Sequence, residues 1–302
     1  MIGQAIGDAL GARFEAQSAE SILARFPDPD ALFEISDETW YTDDTQMAIG
    51  VAETLVACGK ISEPELCRTF VANYVPSRGY GRGTRAVLEA MEDGRDHRAI
   101  AEKYFPGGSH GNGAAMRVAP VGLLFHHDPR ELHEQARLSA LPTHLHPLGI
   151  EGARLIALAV GICLTQATFN KTDYWQRLSA ACTTPEFRDK VEQASCTQSV
   201  SDLTALGNGI QALESVPTAL ASFALAPESF VQAVGQVILL GGDTDTLAAM
   251  TGALSGAHLG IEGIPSCAVQ SLESSPKGRD FLMTLANQLY ETHCRIKDAA
   301  ET

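Results

Sequence analysis

The chain has 302 residues, a formal net charge of −15 and 45 % hydrophobic residues. That length and apolar content can build a sizeable core within one domain. The acidic balance excludes a nucleic-acid binder working through a basic face, although cations or backbone amides could still neutralise an anionic ligand locally.

The predicted elements are helical. Ile2, Ala5, Ile6, Ala9 and Leu10 follow the i, i+3, i+4 spacing of an amphipathic helix. Gly3, Gly7 and Gly11 lie four apart and form a bare ridge that a second helix can approach closely. A turn-rich segment, 25–46, leads into a helix from Met47 to Cys58. Turn chemistry returns at 76–84, 104–113 and 141–148, and the next long helix runs from Gly149 to Leu164. That segment carries Glu151 and Arg154 and reads as too short and too charged to span a bilayer, so no membrane partner is expected. Residues 165–205 are polar and poorly periodic and read as a surface excursion. "LGNGIQALESVPTAL", 206–220, reads as a loop entering a helix bent at Pro217. Helices from Ser229 to Leu240 and from Asp245 to Leu259 flank a turn at 241–244, the last helix being rich in Ala and Gly and closed by Gly260. With no run of alternating strands, one all-α domain over residues 1–302 is expected. The seven cysteines form no C-x-x-C pair and read as free thiols in a reducing compartment. No basic-then-apolar leader is visible, so a cytoplasmic protein is expected.

Two stretches carry the chemistry. "YTDDTQMAIG", 41–50, sets Thr42, Asp43 and Asp44 at the start of one apolar helix, and "GGDTDTLAAM", 241–250, sets Asp243, Thr244, Asp245 and Thr246 at the start of another. Helix capping alone needs one Asp or Thr, not a cluster. Adjacent carboxylates repel unless a cation holds them, so the two clusters are expected to meet around metal. An all-oxygen donor set favours Mg²⁺, Mn²⁺ or Ca²⁺ over zinc, and four aspartates make two ions plausible. Asp8 and Glu15, seven apart, would share a helix face if the first helix reached that far; an end near Arg13 would leave Glu15 solvated. A prenyl-diphosphate enzyme ranks low, because Asp43-Asp44 lacks the third carboxylate of D-D-x-x-D. "GGSHGNGAAMR", 107–117, could cradle a diphosphate with its amides but lacks a P-loop ending. "RGYGRGT", 78–84, is a weaker glycine loop. In "THLHPLGIEGA", 143–153, His144 and His146 read better as hydrogen-bonding or stacking groups than as metal ligands.

"GQAIGDALGARFEA", "YTDDTQMA", "RGYGRGT", "GSHGNGAAMRVAP", "THLHPLGIEGA", "LGNGIQALESVPTAL" and "GGDTDTLAAMTGALSGAHLG" occur in order across nearly the whole chain. Together they resemble the successive motifs of the ADP-ribosylglycohydrolase family, closest to the branch acting on serine-linked ADP-ribose and poly(ADP-ribose). The resemblance implies a compact, orthogonal all-α helical domain with a binuclear metal cleft. It implies two Mg²⁺ ions, with Mn²⁺ an alternative: Thr42, Asp43 and Asp44 on one, Asp243 and Thr246 on the other, Asp245 shared. Glu15 matches the family's acidic residue, implied as both ligand and acid/base, a task in which Asp44 or Asp243 would share. Gly81 falls in the second glycine loop. Gly108, Ser109, His110, Gly111 and Asn112 match the diphosphate and ribose loop, although His110 stands where Tyr is often found. His144 and Ile210 match adenosine-side and ribose-side contacts, and Tyr104 or Phe105 would stack on adenine. The implied substrate is an ADP-ribosylated protein or ADP-ribose polymer, the product ADP-ribose, the state a monomer, with no nucleic-acid partner. The alternatives are an arginine-specific hydrolase or a non-catalytic ADP-ribose-binding relative. The chain opens almost on the first motif, where relatives usually carry a short lead, so its start is expected to be trimmed.

Overall fold

A computed structural model describes residues 1–34 and 37–300. Among the described residues it contains helices and three isolated bridges but no strand, as expected of an all-α chain. The order is α1 (Ile2–Gly11), α2 (Ala19–Leu23), α3 (Pro29–Leu32), α4 (Asp43–Cys58), α5 (Glu63–Asn73), α6 (Arg82–Glu92) and α7 (His97–Tyr104). Then follow α8 (Ala119–Phe125), α9 (Pro129–Ala140), α10 (Pro147–Thr165), α11 (Lys171–Ala181), α12 (Pro185–Ser195) and α13 (Val200–Leu203). The chain closes with α14 (Ala212–Leu225), α15 (Phe230–Leu239), α16 (Thr244–Leu259), α17 (Ser266–Ser271) and α18 (Arg279–Ala300).

Two apolar clusters organise the packing, and α4 and α16 are wedged between them. Met47, Val51 and Leu55 of α4 face one cluster while Ile49 and Ala52 face the other. On α16, Met250 and Leu254 join the first, and Leu247 and Ala248 the second. Both helices are therefore apolar nearly all round, and their N-termini are held in the middle of the molecule.

The glycine ridge of α1 packs against α16 at backbone contact. A methyl at Gly3 would stand 2.4 Å from the Gly252 carbonyl oxygen, at Gly7 2.0 Å from that of Ala248, and at Gly11 2.3 Å from that of Thr244. The contacts run in opposite senses along the two helices, so the pair is antiparallel, and the end of α1 meets the start of α16.

Two expectations are corrected, and one alternative left open is decided. Residues 165–205 are no surface excursion: α11, α12 and α13 bury Tyr174, Leu178, Phe187, Val191 and Leu203 in the first cluster. One apolar residue per turn suffices for such short helices, too sparse a pattern to stand out. Helix α10 is 19 residues long and apolar enough to cross a membrane by length and composition, but 72 % of that window is buried inside the protein. Finally, α1 stops at Gly11 and a 3₁₀ turn, Ala12–Phe14, follows, so Asp8 and Glu15 do not share one helical face.

Candidate metal centre and ligand cleft

Helix α1 brings the acidic residues together from both ends of the chain. Its C-terminal end, laid against the start of α16, delivers Glu15 to Asp243 and Asp245. One carboxylate oxygen from each of the three lies within 4.8 Å of the others. The backbone fixes this junction: Ala16 N–H donates to the Gly242 carbonyl and Gly242 N–H to that of Gln17. Ala16 takes a left-handed φ of 61° to do so, a conformation that costs a non-glycine residue about 1 kcal/mol. Gly241 and Gly242, at φ 68° and 79°, supply the other side of the turn.

Asp8, in the middle of α1, sets the other half. Its Oδ1 accepts from Thr42 N–H (2.9 Å) and Oγ1 (2.7 Å), and its Oδ2 from Thr45 N–H (2.9 Å) and Oγ1 (2.6 Å). Four donors thus pin the first turn of α4 to α1. Thr42 also caps α4, accepting from Asp44 N–H at 3.3 Å. The Thr42 hydroxyl has one proton, and the shorter contact gives it to Asp8 rather than to Asp44 Oδ2 at 3.3 Å.

These anions crowd one another. Burial, then the charge of Asp8, pushes Asp43 up to about 7. Burial and Asp245 hold Asp44 well above the usual carboxylate range, and burial and Asp243 do the same to Asp245. Asp243 and Glu15 are raised by burial, Glu15 further by Asp243. Among the described residues, none hydrogen-bonds the buried Asp44 Oδ1, and no Lys or Arg lines the cleft. An unpartnered buried carboxylate oxygen is costly. Its neighbours in the cluster are all hard oxygen donors, the set that suits Mg²⁺ or Mn²⁺, so the residues present fit such cations.

The carboxylates lie in a cleft of about 350 Å³. Glu15, Asp43, Asp44, Asp243, Asp245 and Thr246 line it, as do Gly81, Ser109, His110, Gly111 and Asn112, with His144 and Ile210. Thr42 and Gly108 are not among the lining residues. Thr42 serves as cap and anchor. Gly108, at φ 92°, lies behind the wall, where a methyl on it would stand 2.3 Å from the backbone nitrogen of His146. Phe105 lines the cleft, whereas Tyr104 does not and is 42 % exposed. Ile210, 71 % exposed, sits at the mouth. Its carbonyl accepts from Asn112 N–H, and Ala212 N–H donates to the His110 carbonyl, tying the two loops together. Asn112 then reaches inward, donating from Nδ2 to Asp243 Oδ2 at 2.5 Å.

His144 is held in place by a relay of hydrogen bonds. Arg117, fully buried, donates to Thr143 Oγ1 at 2.8 Å. Thr143 Oγ1 lies 2.7 Å from His144 Nδ1 and fixes the ring in place. Nε2 lies on the side of the ring beside Gly111 and Gly113. Burial, then Arg117, pushes this histidine down to about 3, so it stays neutral.

Sequence reasoning missed several residues that shape the site. Asp8 acts as an anchor rather than as Glu15's companion. Asn208 clamps the second acidic turn, donating to the carbonyls of Leu240 and Gly241 and accepting from Asp243 N–H. Arg78 donates to the Tyr41 carbonyl and pairs with the buried Glu273, holding the extended approach to α4. Their signal is a polar residue inside an otherwise apolar or glycine-rich motif, which names no partner.

A cleft floored by two acidic helix starts and rimmed by glycine loops defines the class, and known proteins agree. The model of the ADP-ribosylglycohydrolase family matches residues 1–298, and the chain belongs to that family of glycosidic-bond hydrolases, which remove ADP-ribose from modified substrates. It is similar to ADP-ribosylhydrolase ARH3 of Danio rerio, 32 % identical over 97 % of this chain and 90 % of that protein. It also resembles ARH3 of Bos taurus, 34 % identical over 96 % and 91 %. A solved structure described as an ADP-ribosylglycohydrolase-related protein complex superposes with a TM-score of 0.75 at 27 % identity, covering 96 % of this chain and 95 % of that one.

Proposed function

We propose that the protein is a Mg²⁺-dependent hydrolase that releases ADP-ribose from serine-linked and polymeric ADP-ribose. The observation that carries the metal dependence is the buried, unpartnered Asp44 Oδ1 within a carboxylate cluster that no Lys or Arg among the described cleft residues neutralises. Thr42, Asp43 and Asp44 would hold one ion and Asp243 and Thr246 a second, with Asp245 shared and Glu15 closing the set. When bound, the ions would supply positive charge to ribose hydroxyl oxygens and so hold the ring in place. The resemblance of "LGNGI…ESVPTA" and "FEA" to the branch acting on serine-linked and polymeric ADP-ribose supports those linkages over arginine.

Ribosyl cleavage passes through an oxocarbenium-like state assisted by carboxylates near the anomeric carbon. Glu15 stands at the rim with its carboxyl raised by burial and by Asp243. A raised carboxyl suits proton delivery to the leaving oxygen, followed by activation of water. His144 offers a neutral ring nitrogen to the ligand, and Phe105 provides the aromatic face for adenine. Gly81 leaves open space where a larger side chain would intrude.

The test is incubation with serine-linked, arginine-linked and polymeric ADP-ribose substrates, with released ADP-ribose measured. Release from the serine and polymer substrates, at least tenfold faster than from arginine, is expected. Preferential release from arginine would overturn the linkage assignment.

A further inference from the structure

We propose a second metal site, remote from the cleft, in which His126, His127 and His293 bind a zinc-class cation and clip the C-terminal helix to α8. A ring nitrogen from each of the three lies within 4.8 Å of the others. His126 and His293 stack with centroids 4.4 Å apart, and His127 meets His293 edge-on at 4.9 Å. His126 closes α8 and His293 belongs to α18, so the cluster joins two elements far apart in sequence.

The hydrogen bonds define which nitrogens are free. His126 Nδ1 lies 2.9 Å from the Leu123 carbonyl and His293 Nδ1 2.8 Å from that of Leu124. A carbonyl only accepts, so both Nδ1 atoms carry the proton and both Nε2 atoms present lone pairs. This ring-to-carbonyl bond is the arrangement that orients a metal-binding histidine. The His127 ring is exposed and packs edge-on against His126 and His293. Three imidazoles around Zn²⁺ need nitrogens about 3.4 Å apart for bonds near 2.1 Å in tetrahedral geometry, so binding would draw the rings together and turn the stacked His126 and His293 rings to converge on the ion. Imidazole donors favour Zn²⁺, Ni²⁺ or Cu²⁺ and disfavour Mg²⁺, so the site differs in chemistry from the carboxylate cluster. It differs in place as well. Gly149 of α10 abuts Ser109 and His144 in the cleft, and Gly161 of the same helix abuts His126. Twelve helical residues separate them by roughly 18 Å. Three protein ligands leave a fourth position for water.

The experiment titrates Zn²⁺ into the full chain with Mg²⁺ in excess, by calorimetry, with Co²⁺ absorption reporting tetrahedral geometry. One equivalent of Zn²⁺ and a rise in melting temperature are expected. His127→Gln, at an exposed position that cannot compromise the core, should weaken binding at least tenfold and remove the rise. His293→Gln should do the same, and Asp245→Asn should leave both intact. Unchanged Zn²⁺ binding in His127→Gln and His293→Gln, loss of binding in Asp245→Asn, or no binding by the wild type at 100-fold excess would each overturn the proposal.

Discussion

At the scale of single residues, the site crowds buried carboxylates whose ionised forms oppose one another. Asp44→Asn removes one carboxylate from the cluster and leaves its shape. In EDTA this variant should melt about 2–4 °C above the wild type, since an anion held above its ordinary range opposes folding at neutral pH. Mg²⁺ should raise the wild-type melting temperature and leave the variant unmoved; scanning calorimetry checks both. His144 gives a prediction of opposite sign. Its folded value of about 3 lies below the usual 6.5, so between those limits the folded chain binds fewer protons than the unfolded one. Stability from this residue is complete above pH 6.5 and falls as pH drops toward 3. His144→Phe should therefore lose less stability than the wild type between about pH 7 and pH 5 in urea unfolding. The acidic pair of motifs was legible because four aspartates at two helix starts have no ordinary capping explanation. The relay from Arg117 through Thr143 to His144 was not, because it joins residues 26 positions apart through rotamers that a linear pattern does not encode.

At the scale of elements, α1 is the ruler on which the site is measured out. The ridge of Gly3, Gly7 and Gly11 predicted a close helix partner but could not name α16, because several later helices are rich in small residues. Gly7→Ala would drive a methyl to 2.0 Å from the Ala248 carbonyl oxygen. Separating the helices should cost about 3 kcal/mol or more in urea unfolding and weaken Mg²⁺ binding by moving Glu15 away from Asp245. Gly81→Ala is the counter-case: its methyl meets nothing within 4 Å and projects at the cleft. It should leave the melting temperature unchanged while raising KM severalfold. Asp8→Ala strands four donors at the start of α4 and should cost about 3–5 kcal/mol.

For the whole molecule, the fold is a device for bringing two acidic turns, roughly 200 residues apart, onto one cleft floor. Helices α4 and α16 run back from that floor between two apolar clusters, so their uniform burial anchors the acidic residues and also explains why their sequences show no polar face. The polar layer α11–α13 escaped notice for the opposite reason, its few inward residues being diluted by a solvated face. This floor is expected to work only with metal in place. The most direct test is release of ADP-ribose from a serine-ADP-ribosylated peptide, measured in Mg²⁺, in EDTA, and after Mg²⁺ is restored. Turnover should fall at least a hundredfold in EDTA and return on repletion; full activity in EDTA would contradict the account.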